Sequence, residues 1–160
     1  MKYLVLPGRI LYSLIFIMTI MTHFSQRAVD YAINNGVPSA GLLVPLSGII
    51  ACLGGISILL GYKAKWGAWL IVLFLIPVTF FMHAFWKETE PMQKQMQMGN
   101  FIKNLSLLGA ALLIAYFGAG PVSVDAMQRS ATPEAGNLKE SEKKHPLKYF
   151  SKEPEHSEKS

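Results

Sequence analysis

Residues Trp66 to Trp86 read WGAWLIVLFLIPVTFFMHAFW, 21 positions without a single Lys, Arg, Asp or Glu. At about 1.5 Å of rise per residue, roughly 20 apolar residues in a helix match the ~30 Å hydrocarbon core of a bilayer. The run predicts a membrane-crossing helix, kinked by Pro77. One ionisable side chain, His83, sits near its end.

The chain on either side follows the same rule. Residues 41–62 are equally free of charge, and two weaker apolar runs lie at about 3–22 and 101–117. Each weaker run holds one cation near an end, Arg9 or Lys103, which is expected to snorkel toward the headgroups. With 51% hydrophobic residues, 16% charged residues and a mean hydropathy of +0.31, the 160-residue chain is too apolar for an ordinary soluble domain. The fold class predicted is all-α, a membrane-embedded four-helix bundle over residues 1–126 with a disordered C-terminal tail over 127–160. Lys2 before the first run resembles the start of a signal peptide. However, Met21-Thr-His-Phe24 offers no small-x-small cleavage site, so that run is taken as a retained span.

Between the first two spans, Phe24, Ala28, Tyr31 and Ala32 fall at helical spacing, and Asn35-Gly36 followed by Pro38 signals a helix stop. A short amphipathic helix is expected there. Lys63 and Lys65 crowd the tight turn between spans two and three, on the side of Lys2 and Arg9. By the positive-inside rule that side is cytoplasmic, with both termini inside. Tyr62, Trp66, Trp69, Trp86 and Tyr116 near span ends suit the headgroup zone.

Small residues mark span two as a packing helix. Gly48, Cys52 and Gly55 form one stripe, and Ser47, Gly54 and Gly61 a neighbouring one. Such stripes let helix backbones approach closely in lipid, within the bundle or in a homo-oligomer. Cys52 is the only cysteine, which excludes an intramolecular disulfide and Cys-pair exchange chemistry. From Arg129 onward the tail mixes seven Lys or Arg with six Glu and few apolar residues, too few to offset its ordering entropy.

The polar candidates gather at one face under this topology. His23 ends span one, His83 ends span three, and Asn100, Lys103 and Asn104 open span four, with Asn100 placed as its N-cap. Ionisable groups at membrane depth need a partner or a polar cavity, so these five are the ligand-binding candidates. Two histidines without an acidic third ligand make no metal site. No nucleotide-binding loop or Ser-His-Asp arrangement occurs, and nucleic acid is not an expected partner.

Several motifs resemble the DoxX family of bacterial four-helix membrane proteins. They are Pro7-Gly-Arg-Ile-Leu11, Gly36-Val-Pro38, the Gly48–Gly55 segment with Leu60-Gly61, Met82-His-Ala-Phe-Trp86, Gln95-Met-Gln-Met98, Phe101-Ile-Lys-Asn-Leu105 and Gly118-Ala-Gly-Pro121. The chain departs from that pattern at His23 and Ala51, where many such proteins carry Lys and Glu. The resemblance implies a bacterial inner-membrane protein serving as an accessory subunit of a membrane redox system. His83, Lys103 and Asn104 would then contact a quinone head group or a redox partner protein. The alternative is a non-catalytic scaffold that holds a partner through its tail or loops.

Overall fold

In a computed structural model, residues 3–131 are described, and all regular structure among them is helical. The polar tail expected over 132–160 lies outside the described residues. The chain divides into a unit Met1–Ala126 and a second unit from Met127 onward. Four segments are long and apolar enough to cross a membrane: Val5–His23, Ala40–Leu60, Ala64–Lys87 and Pro91–Phe117. The protein is a multi-pass membrane protein in contact with the lipid bilayer.

The first segment is two helices, α1 (Val5–Met18) and α2 (Ile20–His23). Pro7 is tolerated because it falls in the first turn, where its missing N–H has no intrahelical acceptor. The break at Thr19 comes with hydroxyls bonded to carbonyls three residues back. Thr19 donates to Phe16 (3.1 Å), Thr22 to Thr19 (2.6 Å) and Ser25 to Thr22 (2.7 Å). Ser25 then caps the amphipathic α3 (Gln26–Asn34), accepting from the Ala28 amide. Gly36, at φ +80°, follows its end, as the Asn-Gly stop predicts.

Helix α4 (Ala40–Leu60) ends on Gly61 at φ +67°. Gly61 N–H bonds Ile58 O at 3.1 Å and Tyr62 N–H bonds Ser57 O at 3.1 Å, the paired bonds of a Schellman stop. Helix α5 (Ala64–Met82) follows immediately and is succeeded by a short 3₁₀ turn, Phe85–Lys87. Helix α6 runs Pro91–Phe117, ten residues earlier than the predicted span. Glu90 caps it by accepting from Gln93 N–H at 2.7 Å, and Pro91 fills the first position, where Pro is preferred. Asn100 is therefore not the N-cap of span four but lies three turns into the helix. Helix α7 (Val124–Ala131) carries regular structure past the predicted start of the tail at residue 127.

Packing proceeds α1 on α4, α4 on α5 and α5 on α6, with α2 and α3 also resting on α4. Small residues make these approaches possible. A Cβ on Gly54 would sit 2.9 Å from the Gly67 carbonyl oxygen, so α4 and α5 touch backbone to backbone. One on Gly55 would meet Phe16 and Ile17 of α1 at 3.2 and 3.1 Å. Ala51 is fully buried in the core, whereas Cys52 is half-buried. Phe16, Ala51, Ile58, Ala68, Ile71, Val72, Phe74, Leu75 and Ala111 form the core. Across the remaining seam, the Tyr12 hydroxyl of α1 reaches Leu107 O of α6 at 3.0 Å. Large apolar side chains such as Leu11, Leu42 and Leu113 stay exposed, as a lipid-facing surface requires.

Arg9 does not snorkel. Only 5% exposed, it donates to Ala119 O (2.7 Å), Val122 O (2.9 Å) and Leu59 O (3.1 Å), binding α1 to the end of α4 and to the segment after α6. Its two terminal nitrogens serve three carbonyls at once, which offsets part of the cost of burying the group, while Nε stays buried without a partner among the described residues. At the same end, the Asp125 carboxylate accepts from Lys63 and Ala64 N–H at 2.7 and 3.2 Å, capping α5.

Candidate functional site

The opposite end of the bundle, where α5 stops at Met82, is less tightly closed. A cavity of about 800 Å³ lies there, lined by residues of α1 through α6. Its walls are mainly apolar, including Phe16, Ile50, Phe74, Leu75, Val78 and Leu107. This size falls within the roughly 300–1,000 Å³ of pockets that hold small molecules.

Four of the five candidate residues line this cavity: His23, His83, Lys103 and Asn104. His23 donates through Nδ1 to Thr19 O at 2.8 Å, its ring 5.6 Å from that of Phe74. Its place is made by Gly48, where any Cβ would lie 2.5 Å from the His23 Cβ. Lys103 is exposed and donates to Asn100 Oδ1 at 3.1 Å. Asn100 is thus tied to the site through Lys103 without lining it.

Asn104 differs from the rest. It is only 6% exposed, it faces the cavity, and its side chain makes no hydrogen bond to any described residue. The fully buried side-chain polar atoms without a partner among the described residues are Arg9 Nε and Ser13 Oγ; the Asn104 amide is not one of them and stays open to the cavity, where a bound group can reach it.

Two contributors had no functional role in the sequence reading. Gln97, 7% exposed, accepts from His83 Nδ1 at 2.8 Å and donates through Nε2 to the Tyr31 hydroxyl at 2.6 Å. The hydroxyl in turn donates to Met82 O at 3.1 Å. Because a carbonyl can only accept, Met82 O sets the direction of the whole chain. His83 therefore carries its proton on Nδ1 when neutral, leaving Nε2 as an acceptor. Gln97, Asn104 and Ala111 are the buried residues of α6, spaced by seven. That spacing, applied to a helix starting at Pro91, is the signal that would have found Gln97. The other contributor is Arg27 of α3, which lines the cavity and makes no hydrogen bond or ion pair with any described residue.

His23 and His83 have no third His, Cys, Asp or Glu gathered with them among the described residues. The Phe80, Phe85, Trp86 and Phe101 rings pack edge to face beside the site, with centroids 5.2–5.8 Å apart. This clamp holds the end of α5 to α6 and accounts for the Phe-Trp pair of Met82-His-Ala-Phe-Trp86.

Four helices long and apolar enough to cross a membrane, packed beside a cavity, define a small polytopic α-helical membrane protein. The SURF4 family model matches residues 1–130, and the chain belongs to the SURF4 family. It is similar to the inner membrane protein YphA of Escherichia coli, 31% identical over 125 residues that cover 76% of this chain and 88% of YphA. It is also similar to the Surfeit locus protein 4 homolog of Schizosaccharomyces pombe, 29% identical over 93 residues. That match covers 58% of this chain but only 30% of the yeast protein. No solved structure matches.

The family match overturns the DoxX resemblance. Glycine turns, small-residue stripes and interfacial aromatics are demanded of any small, tightly packed membrane bundle, so they do not separate one such family from another.

Proposed function

We propose that this SURF4-family protein is a membrane-embedded binding protein whose cavity holds a lipophilic molecule by its polar end. The observation that carries the reading is Asn104, a largely buried residue that lines an apolar cavity and whose amide makes no hydrogen bond to any described residue. A ligand oxygen accepting from its amide nitrogen would satisfy that donor where water is scarce. The apolar walls would take the ligand's hydrocarbon part. His83, held in one tautomer by Gln97, and Lys103 add further polar contacts at the rim.

A quinone head group is one ligand of this general kind, but the redox-accessory role was an implication of the DoxX resemblance and loses its basis with it. A scaffold role for the tail rests on residues outside the described ones. In orientation, the lysines of the Tyr62–Lys65 turn favour cytoplasmic termini and a cavity at the opposite membrane face. The inner-membrane name of YphA supports the same compartment.

The test is photolabelling of the full chain in lipid nanodiscs with a long-chain diazirine alcohol. Label is expected on Phe16, Phe74 and Leu107, and excess unlabelled alcohol should compete it away. Label spread evenly over the lipid-facing Leu11, Leu42 and Leu113, with no competition, would contradict the reading.

A further inference from the structure

The polar end of the ligand can be specified, on the footing that the cavity holds a lipophile at all. We propose that it is an anion: a carboxylate or phosphate monoester carried on a hydrocarbon chain. The charged side chains and histidines among the described lining residues are all basic. They are Arg27 from α3, Lys103 from α6, His23 from α2 and His83 just past α5, joined only by the phenol of Tyr31.

No Asp or Glu is among the described lining residues. Asp30 of α3 accepts from Gln26 Nε2 at 2.9 Å, and Glu90 is engaged in capping α6 at 2.7 Å. Glu88, although close in sequence to His83, does not line the cavity either.

The two permanent cations, both exposed, approach from different helices, and neither forms an ion pair with a described residue. Arg27 makes no hydrogen bond or ion pair with a described residue, and its guanidinium presents a fork of donors suited to carboxylate or phosphate oxygens. Lys103 keeps donors beyond the one it gives to Asn100. The Asn104 amide nitrogen adds an uncharged donor below them. Beside an apolar wall, such an array attracts an anion more strongly than it would in water. A neutral alcohol or quinone would use Asn104 but leave both cations uncompensated.

The anion's tail then lies along Phe16, Phe74, Leu75 and Leu107. Both acid classes share this recognition, and they separate by charge. A doubly charged phosphate monoester gains more from two cations than a carboxylate does.

The experiment uses the full chain purified in a neutral maltoside. Binding of oleate, oleyl phosphate, oleyl alcohol and a decyl-substituted quinone is measured by native mass spectrometry. Oleate and oleyl phosphate are expected to bind at least about tenfold more tightly than the two neutral ligands. Whichever acid binds more tightly identifies the head group. In the Arg27→Gln, Lys103→Gln double variant the advantage of the two acids over oleyl alcohol should vanish. The charge-keeping Arg27→Lys, Lys103→Arg pair should retain it, so a folding defect cannot mimic the result. Equal binding of all four ligands, or an advantage that survives the Gln pair, overturns the anion assignment and leaves the cavity reading standing. Failure of every ligand to bind overturns both.

Discussion

His83 Nδ1 lies 2.8 Å from Gln97 Oε1, tying the end of α5 to the second turn of α6 at the mouth of the cavity. Gln97 is also the donor to Tyr31, so one buried amide joins three helices. Replacing it with Leu keeps the volume but strips His83 Nδ1 and the Tyr31 oxygen of that partner. The Gln97→Leu variant should lose about 1–3 kcal/mol of stability. Tyr31→Phe, which removes the hydroxyl at the exposed end of the chain, should lose closer to 1 kcal/mol. Thermal unfolding in detergent ranks the two, and equal or negligible losses would show that the chain contributes no rigidity.

Arg9 fastens the other end. Its three carbonyl partners come from the end of α4 and from the segment after α6. Charge-assisted hydrogen bonds contribute about 1.5–3 kcal/mol each. Arg9→Met should therefore lower stability by more than about 3 kcal/mol. Arg9→Lys should recover only part, because an ammonium lacks the fork that spans three acceptors. Denaturant titration of the reconstituted protein provides the measurement, and a fully stable Arg9→Met would exclude the clasp.

The glycines divide by what surrounds them. A Cβ at Gly54 meets the Gly67 carbonyl at 2.9 Å, whereas one at Gly99 or Gly109 meets nothing within 4 Å. Gly54→Ala must push α4 and α5 apart and should cost about 1–3 kcal/mol. Gly109→Ala should be neutral or gain up to about 1 kcal/mol from helix propensity. Melting temperatures of the two variants compared side by side check the sign of each change. If Gly54→Ala is also neutral, the α4–α5 contact is looser than its geometry states.

How much of this was legible in the chain depends on the range of the interaction. The charge-free runs around Leu46–Leu53 and Leu70–Phe81 identify membrane helices because the bilayer imposes length and apolarity locally. The Asn35-Gly36 stop is local too. Arg9 was misjudged because its acceptors lie 50 to 113 positions away, and no local pattern announces them. The start of α6 was missed although Glu90-Pro91 carries a cap and a preferred first residue, because the Gln- and Met-rich turns that follow lack apolar periodicity. A span opening at residue 101 leaves Gln97 outside the helix and hides its seven-residue register with Asn104. His23, His83, Lys103 and Asn104 were visible as costly polar groups at membrane depth. That Asn104 lacks a partner is a property of the fold alone.

The central claim rests on Asn104, and Asn104→Leu tests it most directly. Native mass spectrometry of the protein extracted from membranes in neutral detergent reads the mass of whatever remains bound. Wild type should carry one lipophile per chain and Asn104→Leu should carry none. The ligand-free variant should melt close to ligand-free wild type, since the Asn104 amide makes no hydrogen bond to a described residue that the substitution could break. A wild type that carries no lipophile, or a variant that retains it at full occupancy, would contradict the account.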